Sequence, residues 1–137
     1  MEGPSDVFRE KIADRVREIA GKGDERALAS VLADIEQAID IDPRSLRGKE
    51  PAAVYAVAVS WAALCSDVVA GFYRTQDRSA GWPVPVAATL QRIAARLRHS
   101  LRHAACGLDA TGYSVTLGSR SSAMSVALRW RTPPPGP

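Results

Sequence analysis

The sequence predicts a mainly α protein (α+β), with a four-helix, bundle-like core and a C-terminal antiparallel β-hairpin. Three observations lead there. Four segments carry apolar residues at helical spacing or all around the helix, and each is bounded by Gly, Pro or Asp. Beyond about residue 110 the apolar period changes to two. With 137 residues the chain has one domain's length, enough to bury a core without metals or disulfides.

The first helix is expected over about residues 6–20. Ser5 or Asp6 can cap it, and Phe8, Ile12, Val16 and Ile19 make one apolar stripe. Gly21 and Gly23 end it. Asp24 then caps a second helix, about 24–41, with Leu28, Val31, Leu32, Ile35 and Ile39 on one face. So short a connection predicts an antiparallel pair. Asp42-Pro43 stops the second helix, and residues 43–49 read as a loop with room for one helical turn.

Pro51 suits the first position of a third helix, about 51–74. It has no charge from Pro51 to Ser66, and its apolar residues cover the whole circumference. It is therefore expected to be the most buried element. Its length approaches the roughly 20 apolar residues of a membrane span. Ser60, Ser66, Asp67 and the many alanines favour a core helix instead, so no membrane is expected.

Residues 75–85 form a loop whose Trp82 is expected to fold onto the core. A fourth helix, about 86–106, follows with a seam of Val86, Leu90, Ile93, Leu97, Leu101, Ala104 and Leu108. Tyr113, Val115 and Leu117, then Met124, Val126, Leu128 and Trp130, alternate with small or polar residues. They predict strands over about 111–117 and 123–131 joined by a Gly-Ser-rich turn. A lone hairpin is marginal in water, so its apolar face must lie on the helices or on another chain. Its edges are expected to be open for pairing. Residues 1–131 are read as one domain and 132–137 as a proline-rich tail. Arg131 to Pro137 has the basic, Pro-x-x-Pro form that proline-recognising domains read.

Charge is uneven. Residues 1–50 hold nine Lys and Arg against twelve Asp and Glu; residues 51–137 hold nine Arg against three Asp. Either the halves attract each other within the fold, or the basic half meets an acidic partner. On the fourth helix Arg92, Arg96, His99 and His103 point away from the seam, with Arg98 and Arg102 on a flank. No Asp or Glu lies between Asp77 and Asp109 to neutralise them within the helix. A nucleic-acid-binding stripe is one reading, not favoured because no recognised motif or interleaved aromatic accompanies it. Pairing with the acidic first hairpin is the other.

His99, His103 and Cys106 share a helical face and have the chemistry of zinc ligands, but a fourth ligand would have to come from Cys65 or Asp67 on the third helix. Cys65 lies in apolar surroundings and Cys106 near a helix C-terminus, and neither setting activates a thiolate. Asp67 reads as a core carboxylate needing an arginine partner. No phosphate loop, nucleophile elbow or paired-carboxylate motif occurs. No catalytic residue, metal or cofactor is therefore expected.

The function expected is that of a non-enzymatic protein-protein interaction, regulatory or adaptor protein. Its alternatives are a nucleic-acid-binding protein and a small helical enzyme or metal protein using His99, His103 and Cys106. The expected docking residues are Arg92, Arg96, His99, Arg102 and His103, with Arg129 and Trp130 at the end of the second strand. The partner is a protein, with the chain itself, paired through the hairpin, as one form of it. The polar, acidic start lacks an apolar signal region, so a cytoplasmic location is expected.

Overall fold

The computed structural model describes residues 2–39, 43–46, 48–74, 81–118 and 123–130. Helix α1 spans Asp6–Ala20, α2 Glu25–Ala38, the one-turn α3 Pro43–Leu46, α4 Pro51–Phe72 and α5 Val84–Gly107. Strands β1 (Gly112–Leu117) and β2 (Met124–Arg129) pair antiparallel, with Val115 opposite Val126. The fold is thus mainly α, with a C-terminal hairpin. The 118–122 turn and the proline tail fall almost wholly outside the described residues, as do Asp77 and Arg131.

Caps fix the first two helices. The Ser5 hydroxyl accepts from the Phe8 amide at 3.1 Å, and the Asp24 carboxylate accepts from the Arg26 and Ala27 amides at 3.0 and 3.2 Å. Of the two glycines between α1 and α2, Gly23 carries the positive φ of 63°, whereas Gly21 stays right-handed. The last helix starts earlier than its seam suggests, at Val84, because Pro85 falls in the first turn, where no amide donor is required. The second stops at Ala38, where Ile39 leaves helical geometry.

The four long helices form a ring. Helices α1 and α2 are antiparallel neighbours, tied by an Arg15–Asp34 ion pair. Helices α4 and α5 are also antiparallel, with Gly107 at the end of α5 against Pro51 at the start of α4. Helix α2 lies along α5, and α1 along α4 with Phe8 against Trp61. The stripes read from the sequence meet in the middle. Ile12, Leu28, Leu32, Ile35, Leu90, Ile93, Leu97 and Leu101 are buried; Phe8, Ile19 and Val57 are half-buried.

The largely uncharged helix α4 and helix α5 are enclosed to a similar degree. Helix α5 packs against α2, α4 and both strands. Helix α4 touches α1, α2, α5 and β2 and turns Ala52, Ala56, Val59 and Ala63 to solvent. The hairpin lies across α4 and α5 with Val115 and Met124 buried beneath it. Its edges are not bare. The Arg98 guanidinium donates to the Val115 carbonyl at 3.2 Å. On the other side the Ser66 hydroxyl donates to the Met124 carbonyl at 3.1 Å and accepts from its amide at 3.2 Å. Helix side chains thus blunt both strands.

Candidate functional site

The basic residues of α5 fall into two groups. Arg92 and Arg96, one turn apart, reach sideways to α2. The Arg92 Nε donates to both oxygens of Glu36 at 3.2 Å, and its Nη2 donates to the Thr89 hydroxyl at 3.1 Å. Arg96 donates to the Ile39 carbonyl at 3.1 Å and lies 3.9 Å from Glu36. Glu36 is buried, so its carboxylate requires these cations. Arg98 is engaged with β1 as described. The cations of a nucleic-acid stripe are therefore largely turned to internal work.

His99 and Arg102 are exposed and His103 is half-buried; none makes a hydrogen bond or ion pair to a described residue. Arg129 is exposed at the end of β2. Trp130 is 56% exposed, but its indole donates to the Leu108 carbonyl at 3.1 Å, tying the strand's end to the end of α5. Of the seven docking residues expected from the sequence, two hold α2 and one ties the hairpin to α5.

Among the described residues, no group of three or more His, Cys, Asp and Glu side chains could hold a metal ion, and this covers His99, His103 and Cys106. Cys106 is exposed and Cys65 buried. Burial pushes the Cys65 thiol up from 9.0 to about 12, which keeps it protonated and unreactive. Asp67 is exposed on α4 and has no arginine within ion-pair distance among the described residues. Its reading as a buried core carboxylate is corrected accordingly: it is exposed, beside α1.

No protein-family model matches the chain, and no curated protein or solved structure matches it either.

Two features escaped sequence reasoning. The first is the outward row of α4, Ala52, Ala56, Val59 and Ala63, at helical steps of four, three and four. Val59 is 40% exposed there. The helix is long and apolar enough to cross a membrane by length and composition, yet only 44% of its most apolar window is buried. The second is a cavity of about 320 Å³ between α1 and α4, lined by Ile12, Val16, Leu64 and Val68 below and by Arg9, Arg17, Asp67 and Arg74 at the rim. The absence of charge between Pro51 and Ser66 left the row unmarked, since it singles out no side of the helix. The cavity had no sequence signal, since its residues come from helices distant in the chain.

Proposed function

We propose that this protein is a non-enzymatic, cytoplasmic interaction protein, an adaptor or accessory subunit, whose main docking surface is the outward face of α4. The observation that carries this reading is the exposed uncharged row Ala52, Ala56, Val59 and Ala63. A contiguous apolar strip on a helix surface favours contact with another apolar surface over water. Small side chains at these steps let a second helix approach closely. The row has no cation for a phosphate, so a protein helix with a matching apolar face suits it and a nucleic acid does not. The chain's own N-terminal segment already lies beside the row: the Trp61 indole donates to the Glu2 carbonyl at 2.9 Å.

The hairpin is a weaker candidate for self-association, because its apolar face is spent on the helices and its edges meet Arg98 and Ser66. The test is affinity purification with the wild type beside two variants, each checked by circular dichroism. Val59→Glu is expected to lose a partner that the wild type retains in stoichiometric amount, by about tenfold or more. Ser114→Glu, on the polar outer face of the hairpin, is expected to keep it. Equal recovery by Val59→Glu would remove the docking surface from α4. Binding of the wild type to phosphatidylcholine vesicles, abolished by Val59→Glu, would overturn the protein-partner reading in favour of lipid.

A further inference from the structure

We propose that the cavity between α1 and α4 binds a small amphiphilic carboxylate. Its apolar body would lie on Ile12, Val16, Leu64 and Val68, and its carboxylate would meet Arg74. This goes beyond the docking role of α4 and does not rest on it.

The cavity is bounded rather than a through-groove. At one end Phe8 of α1 meets Trp61 of α4 edge to face, with ring centroids 5.9 Å apart. At the other the helices close so tightly that a Cβ on Gly71 would stand 3.3 Å from Val16 Cγ1. The space between is about 320 Å³, at the lower end of the roughly 300–1,000 Å³ usual for small-molecule sites. A helix of a partner protein does not fit between such ends; a short-chain molecule does.

Charge selects the head group. Three of the rim residues are arginines and one is an aspartate. Arg17 is already paired with Asp14. Arg9 lies at the Phe8–Trp61 end and uses its Nε on the Pro4 carbonyl at 3.4 Å. Arg74 is exposed and makes no hydrogen bond or ion pair to a described residue. A guanidinium beside an apolar floor matches a carboxylate, which it can hold through two parallel hydrogen bonds. Asp67 on the same rim opposes a doubly charged head such as a phosphate, and so favours a single negative charge.

The test uses the full chain and sodium octanoate, followed by calorimetry and by amide chemical shifts. Octanoate is expected to bind at one site, at least tenfold more tightly than acetate or 1-octanol, and to shift the amides of Ala13, Val16, Leu64 and Val68. Arg74→Ala is expected to weaken it about fivefold or more. Ala13→Leu, an exposed substitution that narrows the mouth, is expected to weaken it similarly without unfolding the protein. Val59→Gln, on the outward row of α4, should leave octanoate affinity unchanged, so this site and the docking surface fail independently. Equal binding of 1-octanol would overturn the proposal, as would affinity indifferent to Arg74→Ala and Ala13→Leu.

Discussion

Glu36 shows how one residue organises the charge asymmetry of this chain. It is the buried carboxylate of α2, and Arg92 and Arg96 of α5 converge on it. The acidic first half and the basic second half thus meet inside the fold. Arg92 keeps 54% of its side chain exposed, so the pair is screened and specifies how α2 lies on α5 more than it adds stability. Cys65 acts on stability differently. In the folded chain its thiol stays protonated to about pH 12; in the unfolded chain it titrates near 9.0. Below that value both states hold the proton and the residue contributes no slope. Above it only the folded state does, so stability falls as pH rises from about 9 towards 12. The slope has an upper limit of about 1.4 kcal/mol per pH unit. Urea titrations across this window should show a shallower decline for Cys65→Ala than for the wild type, because alanine has no proton to lose. Parallel declines would mean that the thiol is not sheltered.

Among the elements, the junction of α4 and α5 depends on an absent side chain. Gly107 is helical, so its use is space rather than backbone freedom. A Cβ there would lie 2.3 Å from Pro51 Cγ and 2.9 Å from Pro51 Cβ. Alanine would gain about 1 kcal/mol of helix propensity. The proline ring is fixed to the first turn of α4 and cannot swing aside, and overpacking costs about 1–3 kcal/mol. The clash outweighs the propensity, so Gly107→Ala should lower the urea midpoint, and a raised midpoint would show that the two helices part easily. The position of Gly107 at the end of the last helix is legible in the sequence; its contact with Pro51 is not, because the two are far apart in the chain. Helices with a polar face were equally legible: Ile12 and Val16 or Leu90 and Ile93 recur at steps that allow one buried side. Helix α4 was not. With no charge from Pro51 to Ser66, nothing in the pattern marks which side faces water, so neither the Val59 row nor the exposure of Asp67 could be read in advance. On α5 the arginines lie off the seam as their spacing requires, but their long side chains reach around to α2, and spacing alone does not report reach.

Across the whole molecule, the three tryptophans act alike. Each indole donates to a backbone carbonyl distant in sequence: Trp61 to Glu2 at 2.9 Å, Trp82 to Gly118 at 3.0 Å and Trp130 to Leu108 at 3.1 Å. The first holds the N-terminal segment on α4, the second brings the start of α5 to the end of β1, and the third returns β2 to the end of α5. The hairpin is thereby fastened at both ends to α5. Val115, Ala123 and Met124 are buried with it. Detaching the strands would uncover those side chains and the α4 and α5 surfaces below, at about 1.5–3 kcal/mol for each large side chain. A hairpin released in this way has no stability of its own. Helices and strands should therefore unfold in one step. Variants that keep only Trp61 or only Trp130, the others replaced by phenylalanine, place a fluorescent reporter on α4 or on β2. Each should give the same urea midpoint by fluorescence as by the helical circular dichroism signal of that same variant. If the Trp130 reporter changed at lower urea than the helix signal, the hairpin would be an independently opening flap, and the fastening assigned to the indoles would be wrong.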